Sequence, residues 1–167
     1  MNTLTEKYCL DANVLIQAWQ KYYSPKFCTD YWDVLNQLGN NKKIFIPEIV
    51  AEEIIRTEDD LSLWIKSSRI PIHPINGDVA NCLKQIYDSN PSHQYLVANS
   101  GQHSLADPWV IAHAMNQKAT VVTKEIKDFY NKPTRIKIPH VCDNMNVRWI
   151  NDFELIEELR IKFNCSI

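Results

Sequence analysis

Glycine is nearly missing from this chain, with three residues in 167. A glycine-rich phosphate loop is thereby excluded, as are collagen-like and linker-dominated architectures. No run of roughly 18 apolar residues occurs, so no membrane-spanning helix is expected. The first residues, MNTLTEKYCL, have neither the basic start nor the apolar centre of a secretory signal, and a cytoplasmic location is expected. The five cysteines never form a C-x-x-C pair. That argues against a zinc site and a disulfide framework, and for buried or idle thiols in a reducing compartment. Excess charge is lacking too: 18 Lys and Arg against 20 Asp and Glu leave a net −2. Any binding of nucleic acid must then come from local geometry and not from an overall field.

What is present is the composition of one compact domain over residues 1–167, 45% hydrophobic and 23% charged. Strand-length apolar runs alternate with helical stretches, which predicts an α/β fold, a mainly parallel sheet of about five strands with helices on both faces. The strands are expected at 7–10, 43–46, 70–75, 119–123 and 147–150. Pro71 and Pro74 suit the third of these to a sheet edge. Helices are expected at 12–20, 27–38, 78–88, 93–100, 107–117 and 152–163, and across EIVAEEII, with Pro47 in its first turn. Gly39 and the asparagines after it are expected to end the second helix.

Four acids fall at one edge of this sheet. Asp11 directly follows the first strand, where open α/β sheets bind ligands, although it could equally cap the helix that starts there. In IVAEEIIR, one of Glu52 and Glu53 must lie near the buried stripe, and the residues alone leave open which. Asp107-Pro108 is an expected N-cap and first helical residue, and also places a carboxylate at the same edge. Glu125 follows the strand ATVVT, with Asp128 close enough to substitute for it. Four carboxylates in a small space repel one another unless a cation offsets them. An all-oxygen donor set selects Mg²⁺ or Mn²⁺ over zinc, and such centres carry out metal-assisted phosphoryl hydrolysis.

The segments LDANVLI, IPEIVAEEI, ADPWVIAHA and VVTKE resemble, in order and spacing, the four motifs of PIN-domain ribonucleases, closest to the VapC-like toxins of bacterial toxin–antitoxin pairs. The tail RIKIPHVCDNMNVRWINDFELI resembles a branch of that superfamily in which an IP-x-VC element precedes the last strand. The resemblance implies a single PIN-like domain and a Mg²⁺- or Mn²⁺-dependent endoribonuclease. Asp11, Glu53, Asp107 and Glu125 match its four metal-binding acids, Asn13 a polar residue that orients the site, and Thr123 a hydroxyl at the strand end. It also implies an RNA substrate, a small DNA-binding antitoxin as partner, and a homodimer. Glu125 departs from the pattern, being one methylene longer than the usual aspartate.

Two basic groups lie near these motifs: Lys124, Lys127, Lys132, Arg135 and Lys137, and the aromatic-rich Lys21, Tyr22, Tyr23 and Lys26. Both suit phosphate contact or base stacking, and both are also ordinary solvated faces. The histidines have no metal-ligand spacing; His103 is retained because its loop leads to Asp107. Trp19 and Trp64 are candidates to line a partner groove. The rival to a nuclease is a PIN-like RNA- or protein-binding module without turnover, for which Glu125 is the sequence hint.

Overall fold

The computed structural model describes residues 6–98, 105–127 and 132–167. Five short strands, β1 (Tyr8–Leu10), β2 (Ile44–Pro47), β3 (Ile72–His73), β4 (Thr120–Val122) and β5 (Trp149–Ile150), form one sheet in the order β3-β2-β1-β4-β5. Every ladder is parallel, with Cys9 opposite both Phe45 and Val121. All residues of β1, β2 and β4 are buried. Side chains alternate across a strand, so uninterrupted burial means that helices cover both faces, as the apolar runs predicted. The proline-flanked β3 takes the expected edge.

The strand order reverses between β1 and β4. Chains leaving two such strands diverge to opposite sides, and the crevice between them is where α/β sheets bind ligands. Residues 11 and 123, which follow these strands, flank that crevice.

The helices are α1 (Ala12–Gln17), α2 (Thr29–Asn40), α3 (Glu48–Ile55), α4 (Asp60–Ser67), α5 (Gly77–Ser89), α6 (Tyr95–Ala98), α7 (Asp107–Gln117), α8 (Ile138–Asn144) and α9 (Asp152–Glu158). Several differ from expectation. The helix after β1 loosens into a π turn over Ala18–Tyr22. α2 ends at Asn40 with Asn41 as its C-cap, as expected, and Gly39 lies in its last turn, where a Cβ would sit 2.7 Å from the Arg69 carbonyl and the Ile70 Cα. Close passage of the chain, and not a helix stop, requires that glycine. Pro47 closes β2 and stands as the extended N-cap of α3 instead of entering its first turn. Of the helix expected at 93–100, a 3₁₀ turn (Pro91–Gln94) and α6 form; residues 99 and 100 lie outside the described segments. The last helix stops at Glu158, two residues before Arg160 turns left-handed at φ 54°.

Two helices were unforeseen. α4 is capped by the Asp59 carboxylate, which accepts from the Ser62 N–H at 2.9 Å. α8 has seven residues, too few for a periodic stripe to declare itself. Among the described residues no helix is long and apolar enough to cross a membrane.

Candidate active site

Asp11 holds the N-cap position of α1, yet its side chain makes no capping hydrogen bond. It receives instead a bond from the Thr123 hydroxyl, 2.8 Å from Oδ2, across the crevice between β1 and β4. Thr123, itself fully buried, accepts in turn from the Glu125 N–H at 3.1 Å. One hydroxyl thus fixes both the first acid and the backbone of the fourth. Asn13 acts on the same loop: its Oδ1 accepts from the Lys124 N–H at 3.0 Å.

Asp107 is the first residue of α7 rather than its cap; Ala106 holds the cap position, and the Asp107 carboxyl is buried. The glutamate doublet separates by exposure. Glu52 points to solvent and pairs with Arg56 at 3.8 Å, while Glu53 is half-buried, and its charge acts on both Asp11 and Asp107. The Glu125 charge reaches the same two residues, and its Oε2 accepts from the Ile138 N–H at 2.8 Å. Four elements therefore bring Asp11, Glu53, Asp107 and Glu125 into one electrostatic neighbourhood. Asp128, the alternative to Glu125, and His103 lie outside the described residues.

The electrostatic consequence is large. Burial pushes Asp107 up to about 9, with the charges of Asp11, Glu125 and Glu53 adding to the rise. Burial likewise raises Asp11 to about 7, against the lowering effect of the Thr123 hydroxyl. At neutral pH, in the absence of a compensating charge, Asp107 thus holds its proton and Asp11 is about half protonated. The all-oxygen donor set and this stored repulsion both fit a hard divalent cation. Among the described residues, no three His, Cys, Asp or Glu side chains are gathered tightly enough to constitute a preassembled metal site. It is the charge and chemistry of the acids that fit the ion; the glutamate arms are not closed around a common point.

Beside the acids, Lys124 turns its ammonium inward to Asp152, 2.8 Å away, where it lies over the rings of Tyr22 and Phe153. Asp152 is buried, and its Oδ2 has no hydrogen-bond partner among the described residues. The sequence carried no signal for this pair, since an acid opening a helix is ordinary. Nor did it signal the Ile138 N–H as the anchor of Glu125. Of the aromatic candidates, Trp19 packs edge to face on Trp32 with centroids 4.6 Å apart, and Trp64 does so at 4.8 Å. Tyr23 stacks on Tyr31 at 4.2 Å. His113 is buried and lowered to about 4 by that burial; its electrostatic neighbours are His73 and Glu48, not the site acids.

The fold is shared with chains of known complexes. A chain in the crystal structure of VapBC2 from Rickettsia felis bound to a promoter DNA fragment is 18% identical, aligned over 86% of this chain and 97% of its own length, with a TM-score of 0.52. A chain of DNA-bound VapBC from Salmonella typhimurium is 16% identical over 87% and 98%, also at 0.52. At such identities the likeness establishes the PIN-domain fold alone. No curated protein matches in sequence. Residues 8–163 match the family described as Domain of unknown function (DUF4411). The chain therefore belongs to DUF4411 and builds that family's domain on the PIN-type parallel sheet.

Proposed function

We propose that this protein is a divalent-metal-dependent endoribonuclease, the toxin of a toxin–antitoxin pair. Asp11, Glu53, Asp107 and Glu125 are its metal-binding acids, and Asn13 and Thr123 hold them in place. The observation that carries this reading is that Asp11, beside the sheet's switch point, and Asp107 are buried, shifted upward and both within reach of the charges of Glu53 and Glu125. Burying acids that repel one another weakens the fold, and a cost of that kind is characteristic of functional sites.

When bound, Mg²⁺ or Mn²⁺ supplies the positive charge that ionises these acids and activates water for in-line attack on an RNA phosphodiester. The chain's own part is positional. Thr123 orients Asp11 and the loop carrying Glu125, Asn13 fixes the Lys124 peptide, and the Ile138 N–H holds the longer glutamate arm. The Lys124 ammonium, tied to Asp152, is kept from neutralising the acids directly.

The VapBC structures are complexes bound to DNA, which supports a small DNA-binding antitoxin as partner here. A homodimer and a cytoplasmic location complete the reading. The open spacing of the acids and the engagement of Glu125 by Ile138 favour one second reading, a PIN-like binding module without turnover. RNA cleavage with and without Mg²⁺ or Mn²⁺, beside Asp11→Asn, separates the two. Metal-dependent cutting that Asp11→Asn abolishes is the expected result; no cutting by the wild type at millimolar Mn²⁺ hands the site to the binding module.

A further inference from the structure

The largest concentration of unpaired positive charge beside the acids lines a cleft of about 330 Å³. Its walls are the 3₁₀ turn Pro133–Arg135, helix α8 and the turn at Asn90–Ser92, and its volume is at the lower end of ligand-sized clefts. Lys127, at its edge, is committed to Asp143. Lys132 and Arg135 are exposed and have no acidic partner among the described residues.

The polar lining is held in place from behind. His93 is fully buried; its Nδ1–H donates to the Ile86 carbonyl at 2.6 Å, so its Nε2 accepts from the Asn144 amide at 2.9 Å. A buried imidazole thereby fixes the angle of a side chain on the cleft wall. Opposite, the Asn90 Oδ1 accepts from both the N–H and the hydroxyl of Ser92, at 2.9 and 2.8 Å. The His140 Nδ1 accepts from the Lys137 N–H at 3.1 Å, which leaves the ring proton on Nε2. The Asn90 and Asn144 side-chain amides, held in place beneath two exposed cations, make a receptor for an oxyanion.

The cleft is joined to the acidic site by two residues of chain. Ile136 lines the cleft, and the Ile138 N–H holds the Glu125 carboxylate. We propose that this cleft seats a backbone phosphate of the single-stranded RNA whose neighbouring phosphodiester lies at the acids, so that Lys132 and Arg135 set where along the strand the acids act. An acidic site repels RNA by itself, and a fixed cationic seat next to it offsets that repulsion without neutralising the acids. This rests on the nuclease reading for the identity of the strand, and the cleft can be tested apart from it.

The test is binding of a short mixed-sequence, fluorescein-labelled single-stranded RNA by Asp11→Asn protein, with and without Lys132→Ala and Arg135→Ala, titrated across salt. Both residues are exposed, so the fold is kept. Losing the one seated phosphate reduces the slope of log affinity against log salt by about 0.7, the value per neutralised phosphate on a single strand. Lys66→Ala, an exposed cation on α4, leaves the slope unchanged. In the otherwise wild-type protein the double variant raises KM and spares kcat. An unchanged slope and KM overturn the proposal, as does loss of kcat with KM unmoved. A reduced slope in a protein that never cuts RNA upholds the cleft and discards the nuclease reading instead.

Discussion

Asp11 and Asp107 tie the chemistry of the site to the stability of the fold. Each folded carboxyl titrates above its unfolded value, so each unfolded chain releases a proton that the native state retains. Their contribution to stability is complete below the ordinary carboxylate range and is lost as pH rises, until Asp11 ionises at about 7 and Asp107 at about 9. In EDTA, the melting temperature is therefore expected to fall from about pH 4 to about pH 9, and Asp11→Asn with Asp107→Asn to flatten that decline. At neutral pH the Asp107→Asn protein gains on the order of 2 kcal/mol. A flat wild-type profile would show that the two acids are not desolvated. Thr123→Val keeps the shape of the side chain but removes the hydroxyl that lowers Asp11. The acid limb of the pH–rate profile should then move upward, with Thr123→Ser restoring it. Asp11 and Glu125 were placed from strand ends, Asp107 from its Asp-Pro helix start, and Glu53 from the family resemblance. What was not legible was exposure at single-residue resolution, which separates Glu52 from Glu53, and the backbone donor from a helix with too few residues to predict.

At the scale of elements, periodicity read the strands and the longer helices well and short or locally forced pieces poorly. α7 lies where its Asp-Pro start and apolar run placed it, whereas α4 and α8 carry seven or eight residues and little stripe. Gly39 marks the end of α2 as expected, but the chain crossing it, which makes the glycine necessary, could not be read from the sequence. Ala is the better helix former by about 1 kcal/mol, yet backbone atoms 2.7 Å from the new Cβ cannot yield as a flexible side chain would. Gly39→Ala is thus expected to destabilise the protein by about 2 kcal/mol in urea unfolding, and a stabilising result would mean that α2 and residues 69–70 part easily. The Lys124–Asp152 pair joins the site's fourth segment to α9. Removing the lysine strands a buried carboxylate that already lacks one partner. Lys124→Met should cost about 3 kcal/mol or more, and Asp152→Asn in the same chain should recover most of it. Recovery that fails would assign the loss to the Tyr22 and Phe153 contacts.

For the whole molecule, the proposed RNA cleavage requires that a near-neutral chain with an acidic crevice reverse the sign of its charge locally. The parallel sheet supplies the place, since its order reverses between β1 and β4, and residues after those two strands must face one another across the gap. The parallel sheet covered on both faces was readable from alternation, whereas the strand order came only with the structure. The electrostatic state of the crevice was not readable, because burial is a property of the packed whole. The central claim, that these acids form a divalent-metal centre, is tested most directly by calorimetric Mn²⁺ titration at pH 7 in buffers of differing ionisation enthalpy. Binding must expel the protons that Asp107 and part of Asp11 retain, so the account predicts release of about one to two protons per protein, lost in the Asp11→Asn, Asp107→Asn double variant. Mn²⁺ binding without proton release, or binding that survives in the double variant unchanged, would contradict it.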